Sequence, residues 1–417
     1  MPGWNDRDRP GGSPGLERIA TVFRRVLWVG AAAAVFGGAW SARAACCYFS
    51  ALGSDVTQPA QKAFLSWDPQ EQIVSWVVQP KFAGNAADFG MVIPTPSRPR
   101  LNEAPREFFK ELGVYTILKP MPLDKYKMLQ WFQAQMSAPA PAGAVASQRS
   151  TVRVLEAGVV GSLDYKIVTA ERADDLFQWL KANRYSYSGD EGTLQHYIRK
   201  KWFFTVMRID PKQMKRGSDG KYLGEVTPTR FTFSSAVLVY PLRITQISVP
   251  DQTEALFYVQ APYKVDLPGA LSYQYSWIPM LRQALSFAVP GKITAQERKW
   301  MQVADARLPE LQSYTQTRYQ TAPGWQPSRL EWARKLTAQD LGILDGTVKY
   351  DREADPKAIK DLVQLRGFLR QGQWVTKFRR TFKRAEMAGD LEFVRARVAG
   401  DTPDEMEYIH ILPTSPP

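Results

Sequence analysis

The sequence predicts an α+β fold: a mixed, mostly antiparallel sheet with flanking helices and a helical, basic C-terminal region. Short apolar or alternating segments, typical of strands, are bounded by turn residues. Amphipathic segments with helical spacing lie between them. The two types do not follow the regular strand–helix alternation of a doubly wound sheet, and no fixed-period repeat is visible, which favours α+β over α/β.

The first part of the body predicts strands followed by helices. Asp68-Pro69-Gln70 marks a turn between two apolar segments. The run Pro94–Pro99 ends the next strand, because proline cannot donate to a ladder of backbone hydrogen bonds. The predicted strands are Ala63–Trp67, Gln72–Gln79 and Asp88–Ile93, and the predicted helices are Pro105–Leu112 and Leu123–Met136. Residues 137–150 are rich in Ala, Pro and Ser and predict a flexible loop.

A second block begins at Thr151. Its predicted helices are Glu171–Ala182, with Leu176 and Leu180 on the buried stripe, and Leu194–Lys200. Its predicted strands are Thr151–Glu156, Tyr165–Val168, Trp202–Ile209, Arg230–Tyr240, Arg243–Val249 and Leu256–Gln260.

Beyond Gly269 the pattern becomes mainly helical. Pro356–Leu369 has the clearest helical register, and the basic stretch Trp374–Arg397 is expected to close with a strand at Leu391–Val394. We therefore predict a leader at 1–44, an α+β domain at 45–269 and a helical basic region at 270–417 that packs on it.

The first 44 residues resemble a secretory signal. Arginines precede the apolar run Val26–Trp40. Ala42-Arg43-Ala44, which matches the A-x-A pattern of a signal cleavage site, follows it. The run has 15 residues, whereas a bilayer crossing needs about 20. We expect cleavage between Ala44 and Ala45 and a location in the periplasm or cell envelope. An uncleaved N-terminal membrane anchor is the alternative, and Arg24-Arg25 leaves a twin-arginine route open.

Cys46 and Cys47 are the two cysteines of the chain, so no internal disulfide framework can form. A bond between neighbours would hold their Cα atoms at about 3.8 Å, below the usual range for disulfides, and would be strained. Three alternatives remain: inert thiols, intermolecular oxidation, or a redox or lipid-anchoring role for Cys46 and Cys47.

The chain carries a net charge of +13, and the leader accounts for +3 of it. A mature body near +10 attracts anionic material. For an exported protein we expect anionic lipid or a cell-wall polymer as partner and no nucleic acid. The charge is concentrated in Arg366–Arg397. Phe378 and Phe382 in this segment are expected to pack a helical portion of it against the rest of the protein. The predicted anion-binding residues are Arg379, Arg380, Lys383 and Arg384.

Motifs for enzymatic chemistry are absent from the sequence. It contains no phosphate-binding glycine loop and no hydrolase elbow, and its two histidines, His196 and His410, are too few for a zinc centre. Helical spacing turns His196 away from Leu194 and Tyr197, so we expect it to be solvated. We predict no catalytic residue, metal ligand or cofactor.

Glu156 is a carboxylate among apolar strand residues. A buried carboxylate requires a partner, and Arg153 or Lys166 is the expected one. A catalytic role for Glu156 is the less favoured alternative.

Several motifs together resemble the bacterial domain-of-unknown-function family 2330. They cover residues 45–265, and Thr376–Phe393 shows a weaker resemblance to the same family. The motifs are Ala45-Cys46-Cys47-Tyr48-Phe49, Phe82-x-Gly84, Asp88–Ser97 with Pro99, Phe108-Phe109, Val154-Leu155-Glu156, Val159-Val160-Gly161, Asp175-Leu176 with Trp179-Leu180, and Val239–Ile244. The resemblance implies an exported or envelope-associated bacterial protein and supplies no activity or catalytic residue.

The sequence therefore predicts an exported envelope protein that binds or scaffolds rather than catalyses. The alternative is an exported hydrolase that acts on a polymer through carboxylates from distant segments. Neither prediction specifies an oligomeric state.

Overall fold

The computed structural model of the chain describes residues 48–51, 56–84, 89–116, 120–121, 152–161, 163–183, 191–209, 215–216, 222–225, 227–249, 251–278, 295–322, 325–344, 362–397, 408–409 and 412–413. The leader, Ala44 and Ala45, Cys46 and Cys47, His410, the helix predicted at Leu123–Met136 and the loop predicted at 137–150 lie outside these residues. The described part confirms the α+β class, since its helices accompany mixed sheets whose strands pair mostly antiparallel.

The larger sheet has ten strands that come from distant parts of the chain. They are β2 (Val56–Asp68), β3 (Ile73–Gly84), β5 (Arg100–Glu103), β10 (Lys215–Arg216), β11 (Tyr222–Glu225), β12 (Thr229–Ser234), β14 (Gln252–Ala261), β16 (Arg329–Lys335), β17 (Trp374–Lys383) and β20 (Tyr408–Ile409). The main order is β10-β11-β3-β2-β14-β17-β16-β20, and β12 pairs with both β3 and β5. Only the pairing of β14 with β2 is parallel among these neighbours.

Both faces of this sheet are buried at its centre. In β2, Ala63 and Leu65 face one side while Phe64 faces the other, because successive strand residues alternate. All three are almost fully buried. Burial on both faces explains why the central strands read as nearly continuous apolar segments.

The five-stranded sheet packs against one face of the larger sheet. Its strands, in spatial order, are β1 (Tyr48–Ala51), β4 (Phe89–Thr95), β9 (Phe203–Ile209), β8 (Leu163–Ala170) and β7 (Val152–Val160), all antiparallel. Met91, Ile93 and Met207 of this sheet join Trp76 and Phe257 of the larger sheet in a first core.

Two helices cover the outer face of the five-stranded sheet. They are α2 (Ala173–Ala182) and α3 (Glu191–Arg199), which confirm the two helices predicted in this region. Leu176 and Leu194 pack with Val92 and Val206 of the sheet in a second core.

A third core lies on the opposite face of the larger sheet. Helix α1 (Phe108–Tyr115) and residues 362–369 pack there, with Phe108 in contact with Phe64 and Phe368 at ring-centroid distances of 5.4 and 4.7 Å. This face carries the polar groups described below as the candidate site.

The remaining described elements are short, apart from one long helix. They are α4 (Leu242–Thr245), α5 (272–278), α6 (Ala295–Thr321), α7 (Ala338–Leu344), β6 (Pro120–Met121), β13 (Val239–Tyr240), β15 (Val265–Asp266), β18 (Leu391–Glu392), β19 (Val394–Arg395) and β21 (Leu412–Pro413). No helix in the described part of the chain combines the length and apolar character needed to cross a bilayer.

Two strand predictions between residues 230 and 249 are corrected. The strand predicted at Arg230–Tyr240 ends at Ser234, and Ser235 forms a turn through its hydroxyl, which donates to the carbonyl of Val237 at 2.7 Å. The strand predicted at Arg243–Val249 is wrong. It is α4 followed by a 3₁₀ turn, because packing of Ile244 in the second core overrides the local alternation.

The C-terminal region contributes strands as well as helices. Trp374–Lys383 is a strand, whereas a helical portion was predicted around Phe378 and Phe382. These two residues lie on one face in either conformation, so their spacing did not distinguish a helix from a strand. The described part of the helix predicted at Pro356–Leu369 forms a 3₁₀ turn at Val363–Leu365 followed by turns. Strands from both sides of residue 269 therefore pair in one sheet.

Candidate functional site

The four cations predicted to bind an anionic surface lie on β17 and just after it. The Nε of Arg379 donates to Glu331 at 2.6 Å, and its guanidinium also pairs with Glu254. The guanidinium of Arg380 pairs with Glu386 at 2.6 Å. These two charges are therefore balanced within the chain.

Lys383 and Arg384 are half-buried. The backbone of Lys383 donates to Glu386 at 2.9 Å, and the guanidinium of Arg384 donates to the carbonyl of Val249 at 3.3 Å. Because β17 alternates, Arg379 and Arg380 lie on opposite faces. The structure does not bring the four predicted residues together as one exposed surface.

A different set of three arginines converges on the face of the larger sheet that bears the third core. We call Arg100, Arg230 and Arg370 the arginine site. Arg100 on β5 stands opposite Thr232 on β12, and Arg230 lies two residues before Thr232 on the same face. Such diagonal neighbours are roughly 7–8 Å apart in an antiparallel pair.

The third arginine reaches the site from the turn before β17. The backbone of Arg370 donates to the amide oxygen of Gln260 at 2.9 Å, and the Gln260 amide donates to the carbonyl of Phe368 at 3.1 Å. Gln260 is buried and also donates to Ser66 at 3.1 Å. The turn is thus fixed to the sheet.

The side chains of this turn complete the site. The guanidinium carbon of Arg230 lies 5.2 Å from the ring centroid of Phe368, a cation–π contact. The Arg370 guanidinium pairs with Asp68 at 3.2 Å. Burial, followed by the positive charges of Arg370 and Arg100, lowers the pKa of Arg230.

Positive charge exceeds negative charge at the arginine site. Within the described residues, Asp68 is the carboxylate paired with Arg370, and neither Arg100 nor Arg230 forms an ion pair. A half-buried guanidinium of this kind favours an anionic partner, because burial away from water costs free energy unless charge is compensated.

Sequence reasoning missed Arg100 and Arg230. The alternation of Arg230 and Thr232 with Phe231 and Phe233 does indicate a polar face on β12. The sequence does not reveal that β5 pairs alongside β12 and brings Arg100 onto that face.

Glu156 has partners other than those predicted. Its carboxylate pairs with Arg98 and accepts a hydrogen bond from the phenol of Tyr165 at 2.9 Å. The hydrogen bonds from Arg98 and then Tyr165 lower the pKa of Glu156. A carboxylate held ionised by two donors suits a structural tie better than a general acid.

His196 is not the solvated residue that helical spacing predicts. Its side chain is 19% exposed, with Nε2 at 3.3 Å from Asp390 and Nδ1 at 3.5 Å from Arg243. Asp390 also accepts hydrogen bonds from Tyr197 at 2.6 Å and Lys200 at 2.7 Å. The segment around Asp390 covers the polar face of α3, which the sequence of the helix alone cannot show.

This histidine cluster has no free ring nitrogen for proton transfer. Burial lowers the pKa of His196 despite the opposing effect of Asp390. Neutral His196 donates to Asp390 through Nε2 and accepts from Arg243 through Nδ1, so the cluster forms a closed cross-link. The described residues contain no group of His, Cys, Asp or Glu side chains arranged to hold a metal ion.

Comparison with known proteins gives one result. The family described as "Uncharacterized protein conserved in bacteria (DUF2330)" matches residues 41–394. No curated protein and no solved structure matches the chain. Since the match covers most of the chain and agrees with the motifs at residues 45–265, this chain belongs to the DUF2330 family of uncharacterised bacterial proteins.

Proposed function

We propose that the protein is an exported component of the bacterial envelope that binds an anionic partner through the arginine site. The observation that carries the proposal is the excess of guanidinium groups there: three arginines meet one carboxylate, Asp68, within the described residues. Arginine forks match the geometry of carboxylates and phosphates. The basic body, with about +10 of net charge, would concentrate anionic material near the site.

Binding is favoured over the hydrolase alternative by the state of the acidic and basic groups. Glu156 and Glu331 are held by cations, and His196 has both ring nitrogens engaged. A common type of glycosidase requires a carboxylic acid with a raised pKa and a second carboxylate about 5–10 Å away across the substrate. Burial raises the pKa of Asp266 to about 6, but this carboxylate is buried and accepts hydrogen bonds from the backbone of Leu267 and Ser272. The carboxylates of these clusters are arranged as cross-links instead.

Export is the second part of the proposal and rests on the leader. The basic residues, the short apolar run and Ala42-Arg43-Ala44 support cleavage between Ala44 and Ala45. N-terminal sequencing of the protein recovered from a Gram-negative host should begin at Ala45. A membrane-extracted protein that retains the leader would favour the anchored alternative.

Binding is tested by co-sedimentation of the full chain with vesicles of phosphatidylcholine, vesicles that also contain phosphatidylglycerol, and isolated cell-wall polymer. We expect retention by one of the anionic materials and its loss at high salt, where the screening length falls to about 3 Å. Arg100→Glu should reduce retention. Arg153→Glu is the matched control, because Arg153 is also an exposed strand arginine but lies on β7 of the five-stranded sheet and not on the face of the larger sheet that carries the site.

Two outcomes would contradict the proposal. Retention of Arg100→Glu at the level of the parent chain would show that the arginine site is not the contact. Equal losses in Arg100→Glu and Arg153→Glu would show that total charge, and not a site, determines binding.

A further inference from the structure

We propose that the arginine site binds a phosphate group that carries two negative charges. This inference rests on the proposed anion binding at the same site and names the chemical class of the ligand. It follows from the number of uncompensated charges, the number of uncommitted hydrogen-bond donors and the fixed position of the residues.

The charge balance favours a dianion. Asp68 compensates Arg370 through the 3.2 Å ion pair. Arg100 and Arg230 form no ion pair within the described residues. A ligand with two negative charges would compensate both, whereas a single carboxylate would leave one guanidinium without a counter-charge.

The donors of Arg230 are mostly uncommitted. Its Nε donates to the hydroxyl of Ser75 at 3.2 Å, which is the one hydrogen bond of this guanidinium to described residues. The four hydrogens on its Nη atoms therefore remain available for a ligand. An arginine with one edge held and the other edge free presents a fork to an oxyanion.

A hydroxyl hydrogen is also available beside this fork. The hydroxyls of Ser75 and Thr232 are 2.8 Å apart, and either can donate to the other. Ser75 additionally accepts from Arg230. Whichever hydroxyl donates within the pair, the hydrogen of the other is uncommitted. The tetrahedral oxygens of a phosphate can use a hydroxyl donor outside the guanidinium plane, which a planar carboxylate reaches less well.

The site is positioned before any ligand binds. Phe368 stacks on the Arg230 guanidinium, and Gln260 fixes the backbone at Phe368 and Arg370. Arg100 is the exposed member and supplies the accessible side of the site. Preorganised donors lose little conformational entropy on binding, which favours a small ligand group.

The inference is tested by isothermal titration of the full chain with inorganic phosphate and with acetate at equal ionic strength, at about pH 8, where phosphate is predominantly dianionic. We expect phosphate to bind at least about tenfold more tightly than acetate, since each added charge-assisted contact contributes about one such factor. Arg100→Gln and Arg230→Gln should each weaken phosphate binding about tenfold, and Arg153→Gln should leave it unchanged. Arg230→Lys keeps the charge without the fork and should give an intermediate loss.

Arg100 is exposed, so Arg100→Gln should fold even if substitution of half-buried Arg230 does not; circular dichroism verifies each variant. The source of the phosphate is identified with vesicles of equal surface charge that contain phosphatidic acid or phosphatidylglycerol. A preference for phosphatidic acid that depends on Arg100 identifies a lipid phosphomonoester. Binding of inorganic phosphate without that preference identifies a soluble phosphate compound. Both results support the inference.

The failures are distinguishable. If acetate binds as tightly as phosphate, or if phosphate does not bind while retention on anionic material still depends on Arg100, the phosphate assignment is wrong and the proposed anion binding stands. If no anion and no anionic material binds, both are wrong.

Discussion

The phenol of Tyr197 donates a hydrogen bond of 2.6 Å to the carboxylate of Asp390, 193 residues further along the chain. The same phenol oxygen accepts the backbone N–H of Ile244 at 3.0 Å. Tyr197 is fully buried, and burial, followed by the negative charge of Asp390, raises its pKa well above the usual value. One hydroxyl group thus joins α3, α4 and the segment that precedes β18.

Tyr197→Phe should destabilise the fold by about 1–3 kcal/mol, because it leaves both the Asp390 carboxylate and the Ile244 N–H short of a partner. The free energy of unfolding in urea measures the effect. Tyr263→Phe is the control, since Tyr263 is only half-buried and its hydroxyl has no hydrogen bond to described residues. Equal stability of Tyr197→Phe and the parent chain would rule out this cross-link as a stabilising element.

Asp266 should make part of the fold's stability depend on pH. Burial raises the pKa of Asp266 to about 6, despite hydrogen bonds from Ser272 and the backbone of Leu267. Between about pH 4 and pH 6 the folded chain therefore binds more protons at this group than the unfolded chain does. Its contribution to stability is complete below that window and is lost as pH rises through it, by up to about 3 kcal/mol.

Asp266→Asn removes this titration. The variant loses an acceptor for Ser272 or Leu267, so it should be less stable near pH 4, with a smaller difference from the parent chain at pH 7. Because Asp175 and Glu191 also have pKa values raised by burial, the informative quantity is the difference between the two proteins at each pH. A difference that does not change with pH would contradict the assignment.

Replacing one partner of the buried ion pair of Glu331 and Lys377 should lower the stability of the fold. Their charged atoms are 3.1 Å apart and both side chains are less than a tenth exposed. Glu331→Gln should cost about 3–5 kcal/mol, because it leaves the buried Lys377 ammonium without a counter-charge. Lys377→Met should cost less, because Arg379 still pairs with Glu331 at 2.6 Å. The double variant should cost less than the sum of the single variants, and a double-mutant cycle in urea measures the coupling.

The exposed pair of Arg98 and Glu156 provides the comparison. Its side chains are 52% and 36% exposed, so Glu156→Gln should cost at most about 1 kcal/mol. The prediction fails if the losses of stability on substituting Glu331 and Lys377 are additive and no larger than the loss at the exposed pair. Burial would then not strengthen the inner pair.

The fold class and many elements could be predicted because their signals are local. Leu176 and Leu180 mark the buried side of α2, and the turn Asp68-Pro69-Gln70 locates the end of β2 and the start of β3. The strand β17 was predicted as a helix, because Phe378 and Phe382 share a face in both structures. A long-range pairing with β14 and β16 determines the outcome there.

The polar clusters could not be predicted because their members are far apart in sequence. Arg379 meets carboxylates 48 and 125 residues away, and His196 meets Asp390 across 194 residues. The high density of cations along β17 and just after it predicted one exposed basic group. Only the sheet register shows that Glu331 and Glu254 flank Arg379 and that Arg100 and Arg230 share a face.

The parallel pairing of β14 with β2 determines when the centre of the larger sheet can form. β14 lies between β2, from near the start of the described chain, and β17, which ends at Lys383. Contacts between residues so far apart in sequence form slowly, because closing a long loop costs conformational entropy before the contact buries any surface. During synthesis and any passage across a membrane, β14 has one or both edges unpaired. A chain that stops short of Trp374 keeps an apolar edge open to association with other chains.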